Sequence, residues 1–223
     1  TAIGFHALGA NTTGAENTAA GAYSMVTNTT GTKNAALGAY SLRFNTTGDF
    51  NTAAGYQALT ANTTADNNTA FGYNTLQANT TGTQNSAFGS TALDANTTGS
   101  YNVAIGYDAL GSNTTANSNT AVGYEAMDTN TTGAYNVAVG KGALDGNTTA
   151  NNNTAVGYHA LVTNSVGTVN TAVGAYAGQA VTTSQDHTFV GAYSGYSVTN
   201  NSHVTYIGAY SGYHMTNAGN TAV

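Results

Sequence analysis

The sequence predicts an all-β fold, a parallel β-solenoid of about 13 coils with 17 residues in each, and three observations carry that prediction. One glycine recurs every 17 residues without insertion or deletion, at Gly4, Gly21, Gly38, Gly55, Gly72, Gly89, Gly106, Gly123, Gly140, Gly157, Gly174, Gly191 and Gly208. Apolar residues keep a fixed phase to that glycine. Two asparagines per repeat do the same. The unit reads N-T-A-(V/I)-G-(Y/A)-x-A-L-x-x-N-T-T-G-x-x, and positions are numbered below from its glycine.

Each element follows from local chemistry. Position −1 holds Ile3, Leu37, Phe71, Ile105, Val139 and their equivalents, and position −2 is Ala in the first eleven copies. Position +4 is Leu or Met from Leu8 to Leu161. Each copy thus offers two short apolar segments, too short for helices and rich in strand formers, separated by Asn-Thr-Thr-Gly turns. One coil cannot bury its own apolar positions, whereas a stack of coils can. The asparagine columns at −4 (Asn17 to Asn170) and +7 (Asn11 to Asn164) suit amides that hydrogen-bond from coil to coil. Apolar or small residues on both strand faces, with a thin core, call for a second buried face supplied by a partner chain, and a homotrimer is the expected assembly.

The repeats divide into a regular set over 1–173 and a variant set rich in Tyr and Gly over 174–223, continuing the same fibre. In the variant set Leu at +4 becomes Gly178, Gly195 and Gly212, while Ala at −2 becomes Phe189 and Tyr206. Large exchanged for small at two positions implies that −2 and +4 share one packing space. The Asn-Thr-Thr turn is replaced there by Val181-Thr182-Thr183, Val198-Thr199-Asn200 and Met215-Thr216-Asn217. Tyr176, Tyr193 and Tyr210 stack at +2, and Tyr196 and Tyr213 at +5. They form a candidate receptor or glycan contact strip, weighed against a plain aromatic ladder that shapes the coil.

Composition limits the chemistry. The chain has no Cys, so disulfides and thiolate sites are excluded. With three basic residues and a net charge of −6, phosphate neutralisation of nucleic acid is not expected. No apolar run reaches membrane-spanning length and no signal peptide is visible, so no membrane insertion is expected of this segment. The sequence begins and ends within repeats, as a segment of a longer fibre would.

No catalytic, metal or cofactor site is assigned. Asp108 and Glu125 share +2, and Asp128 and Asp145 share +5; exposed, solvated carboxylates are the reading, against a glycan-cleaving pair. Glu16 and Lys33 share +12 and read as a surface ion pair. His6, His159, His187, His203 and His214 lack ligand spacing and read as surface residues. Asn11, Asn28, Asn45, Asn62, Asn79, Asn96, Asn113, Asn130 and Asn147 head sequons, candidate glycosylation sites whose plainer reading is a turn. Adjacent Thr114 and Thr115 would face opposite ways, which argues against a flat ice-binding array.

Asn102-Val103-Ala104-Ile105-Gly106 and Asn136-Val137-Ala138-Val139-Gly140 resemble the head repeats of trimeric autotransporter adhesins, the YadA-like family, and the longer unit is similar to repeats of bacteriophage tail fibres. The resemblance implies a left-handed β-roll, trimeric, extracellular at a cell surface or on a virion, and used as a stalk or receptor-binding head. The expected function is a structural and adhesive fibre that binds a glycan or protein receptor, with no enzymatic activity. The alternatives are a glycan-cleaving tailspike-type enzyme and an ice-binding or coat solenoid.

Overall fold

The computed structural model describes residues 1–199 and 203–215, and the backbone of 221–222. The chain divides into two compact units, Thr1–Thr115 and Ala116–Val223. The first holds β1 (Ala2–Ile3), β2 (Thr18–Ala20), β3 (Ala35–Leu37), β4 (Thr52–Ala54), β5 (Thr69–Phe71), β6 (Ser86–Phe88) and β7 (Val103–Ile105). The second holds β8 (Thr120–Val122), β9 (Val137–Val139), β10 (Thr154–Val156), β11 (Thr171–Val173), β12 (Thr188–Val190), β13 (Thr205–Ile207) and β14 (Thr221–Ala222). Within each unit every strand pairs in parallel with the next in sequence, as Ala36 with Ala53 and Ala155 with Ala172. The register step is one repeat, except that Thr205 pairs with Thr221, one residue short. Both units are parallel β-solenoids with one strand per coil.

The central glycine has two reasons to be glycine. Its φ lies at +146° in Gly21, where a side chain is strained. A β-carbon there would fall 2.4 Å from the Gly38 carbonyl oxygen of the next coil.

The second apolar segment is not a strand. Residues +2 and +4 adopt left-handed backbone, as in Tyr23 (φ 56°) and Met25 (φ 49°), and the segment curls into a turn. Coils still bond to one another through it: the Tyr23 amide donates to Phe5 O at 2.8 Å and the Met25 amide to Ser41 O at 3.1 Å. Such residues are rarely left-handed, so stacking and these bonds hold them there.

Strand alternation turns the −2 alanines inward, from Ala19 to Ala172, to pack with the +4 Leu and Met, all fully buried. Positions −3 and −1 point outward. Ile3, Leu37, Phe71, Phe88 and Ile105 in the first unit, and Val139, Val173, Val190 and Ile207 in the second, are exposed apolar side chains in single file.

Both asparagine columns are buried and structural. At −4, Asn34 Nδ2 donates to Gly48 O (2.8 Å) while Asn17 Oδ1 accepts from the Asn34 amide (2.9 Å). At +7, Asn45 Nδ2 donates to Asn28 Oδ1 (2.8 Å) and to Gly48 O (3.0 Å). In the second unit the same kind of ladder ends at Asn164, whose buried Oδ1 has no donor, because the next coil carries Val181 in place of the asparagine. The +8 threonines form a hydroxyl ladder, Thr46 Oγ1 donating to Thr63 O at 3.0 Å. The +9 threonines are exposed, as Thr47 is. Adjacent threonines thus face apart, as the sequence suggested.

The shared packing space of the variant coils is real. Phe189 and Tyr206 are fully buried. A β-carbon on Gly195 would fall 2.3 Å from Phe189 Cε1, one on Gly178 2.7 Å from Phe189 Cδ2, and one on Gly212 2.3 Å from Tyr206 Cδ2. The Phe189 ring therefore fills the +4 space of two coils. Of the replacement turns, Asn200, Thr216 and Asn217 lie outside the described residues.

The expectations for one histidine and one ion pair need correction. His187 is a core residue, 1% exposed, standing where ten other coils place the −4 asparagine. Its backbone N–H donates to Asn170 Oδ1 (3.1 Å) and its Nδ1 accepts from the Val204 amide (3.3 Å). With Nδ1 an acceptor, Nε2 carries the proton and donates to Ser184 Oγ (2.8 Å), which donates on to Thr199 O (3.2 Å). Burial outweighs the field of Asp186 and, with a smaller push from His203, holds the imidazole down to about 4. The Glu16–Lys33 pair is also absent, since the one ion pair among the described residues joins His203 to Asp186 at 3.4 Å. The Lys33 ammonium lies instead over the Phe50 ring of the next coil, 5.1 Å from its centroid.

Candidate functional site

Positions +2 and +5 of the turn segment send their side chains to one face of the coil, so like residues pile up along each unit. In the second unit this face gathers all five tyrosines singled out from sequence. Tyr176–Tyr193 and Tyr193–Tyr210 stack with centroids 5.1 Å apart, and Tyr196–Tyr213 stack at 4.9 Å. Tyr193 approaches Tyr196 at 5.7 Å, and Tyr176 meets Tyr196 edge-on at 6.4 Å. The two columns are one aromatic block, with Tyr210 the most open ring, 61% exposed.

Sequence reasoning missed two members. Tyr158, at +1, packs edge-on to Tyr176 at 5.1 Å. A hydrogen bond from the Tyr176 hydroxyl to Tyr158, then desolvation and the neighbouring phenols, hold the Tyr176 phenol above its usual range. His159 stacks on Tyr176 at 5.9 Å. The available signal was an exchange between neighbours: Ala at +1 precedes Tyr at +2, whereas Tyr at +1 precedes another residue, as in Tyr158-His159.

Beside Tyr196 lies a cleft of about 410 Å³, lined by Thr163, Gln179, Ala180, Tyr196, Ser197 and Thr199. Thr163 Oγ1 donates to the Gln179 carbonyl and to Val181 O (2.9 Å). Gln179 Oε1 is buried and accepts no hydrogen bond. Lys141 is the last Lys or Arg in the sequence, and it sits over the Tyr124 ring at 5.1 Å.

The first unit carries its own stack on this face. Tyr23 and Tyr40 stack 5.5 Å apart with nearly parallel rings, and the Arg43 guanidinium lies over both, at 5.8 and 5.1 Å.

The carboxylates share the same face and are half-buried, not exposed as the sequence suggested. Asp108 belongs to the first unit and Glu125 to the second. Burial first, then Asp108, raises Asp94. Burial first, then Glu125, raises Asp145, and His159 opposes it. Within each unit, then, a +2 carboxylate repels a +5 carboxylate of a neighbouring coil. Among the described residues no three His, Asp or Glu come together to hold a metal ion.

The sequon asparagines from Asn28 to Asn147 are fully buried and Asn11 is half-buried. Asn62 Nδ2 is committed to Asn45 Oδ1 (2.8 Å) and Ala65 O (3.0 Å). A sugar on such a nitrogen would displace a ladder bond, so these residues serve here as turns. No helix among the described residues is long and apolar enough to cross a membrane. Comparison with protein-family models, with curated proteins and with solved structures finds no match.

Proposed function

We propose that this chain is a segment of a structural and adhesive fibre, of a bacteriophage tail fibre or a bacterial surface adhesin, working outside the cell. In this reading the coils are left-handed and three chains close around a threefold axis. The observation that carries it is the file of exposed apolar residues at −1. Leu37 is 48% exposed and Ile105 42%, on strands whose other face is fully buried. A lone polar-surfaced chain has no use for such a file, and a symmetric partner presents the same file to cover it. The tyrosine face, where Tyr210 is 61% exposed, stays open to a receptor. Three chains would offer three copies of it, so weak contacts add as avidity without catalysis.

Sedimentation velocity of the whole chain tests the assembly: a trimer is expected, and a monodisperse monomer at micromolar concentration overturns it. Retention on intact bacterial cells tests the adhesive role. Labelled chain should stay on the cells and release no sugar, and a chain that washes off every strain tried sinks that role.

A further inference from the structure

We infer that the cleft beside Tyr196 binds the end of a neutral saccharide, with one pyranose against the Tyr196 ring. This deepens the adhesive reading and rests on it.

The cleft is lined by the Tyr196 ring, by Ala180 and by the hydroxyl and amide side chains of Thr163, Gln179, Ser197 and Thr199. An aromatic ring face suits the C–H face of a pyranose, while Thr163, Gln179, Ser197 and Thr199 suit its hydroxyls. The hydrogen bonds already made set the polarity. Thr163 Oγ1 has given its proton to the Gln179 and Val181 carbonyls, so toward a ligand it can only accept. Gln179 Oε1 is buried without a donor, so the amide gains a partner if it turns into the cleft toward a ligand hydroxyl. The cleft therefore asks for donors, which sugar hydroxyls supply. No Lys or Arg follows Lys141, so the coils around the cleft offer no cation to a sialic acid, a sulfate or a phosphate. At about 410 Å³ the space lies within the usual range of small-ligand clefts and takes a mono- or disaccharide. Stacking of Tyr196 on Tyr213 and its contact with Tyr193 fix the ring before a ligand arrives.

The test is a printed array of glycans ending in glucose, galactose, mannose or N-acetylhexosamine, beside sialylated and sulfated ones, probed with the whole chain. Binding to a neutral subset is expected. Tyr196→Ala and Gln179→Ala should each weaken it about tenfold, Ser197→Phe should block it by filling the cleft, and Thr47→Ala, at an exposed turn residue of the first unit, should leave it unchanged. Thermal melts by circular dichroism establish that each variant folds. Selection of acidic glycans alone, or neutral binding that survives both Tyr196→Ala and Ser197→Phe, overturns the inference. Adhesion to cells with no glycan bound also overturns it and leaves the adhesive reading standing. If neither cells nor glycans are bound, both fall.

Discussion

Phe189→Ala and Gly195→Leu, each harmful alone, should rescue one another. Phe189 is fully buried, and truncating such a ring costs about 3–5 kcal/mol in lost burial and residual cavity. Leucine at 195 meets the same ring, with a β-carbon only 2.3 Å from Phe189 Cε1, and overpacking of that kind costs about 1–3 kcal/mol. Independent sites would make the double variant lose about 4–8 kcal/mol. Other coils nevertheless combine Ala at −2 with Leu at +4, and the backbone is ready for it: φ is 63° at Gly195 against 52° at Leu144. The double variant should therefore lie within about 2 kcal/mol of the parent, a coupling of about 2 kcal/mol or more. The remaining deficit lies at Gly178, which also leans on the Phe189 ring. Hydrogen exchange at the Thr188 amide, which donates to Val204 O at 2.9 Å, reads opening at this coil rather than elsewhere in the array. Additive losses, with coupling below about 0.5 kcal/mol, would show that the two positions do not share a space.

Two further predictions concern the buried polar columns. His187 takes its proton near pH 4 when folded and near 6.5 when unfolded. The unfolded chain is thus protonated first as pH falls, and stability is full above about 6.5, declines down to about 4 and then levels, by about 3 kcal/mol in all. NMR titration of the imidazole and of exchange at Thr188 measures this; His187→Asn should flatten the decline, and an imidazole titrating above 6 would refute it. Asn62→Ala removes the donor to Asn45 Oδ1 and the acceptor for Asn79 Nδ2. It should cost about 2–4 kcal/mol by the ordinary penalty for stranded buried groups, and a urea midpoint equal to the parent's would contradict it.

Much of the fold is legible because the repeat writes each position many times. Gly21 and its equivalents fix the period, Ala19 and Met25 mark the core, and the asparagines mark the ladders. Even the exchange of Leu for Phe189 could be read as one filled volume. What stayed hidden depends on backbone angles or on neighbours in space. Nothing in Tyr23 or Met25 announces a left-handed backbone, which stacking imposes against local preference. His187 looked like a surface histidine because its type differs from the column it joins, although its position, four before Gly191, held the answer. Of the candidate site, the tyrosines were visible as columns. The cleft was not, because Thr163, Gln179 and Ser197 come from three successive coils.

The amide ladder described above has a direction. Every rung offers its NH2 to the lower-numbered coil and its oxygen to the higher, so the small side-chain dipoles of the second unit's rungs, from Asn130 to Asn147 to Asn164, add head to tail. Asn164 is the open end of that series. A duplicated coil bearing asparagine, inserted just after it, would find an acceptor waiting. Lengthening by whole repeats is thus chemically welcome at that point, whereas a coil that lacks the amide brings the series to a halt.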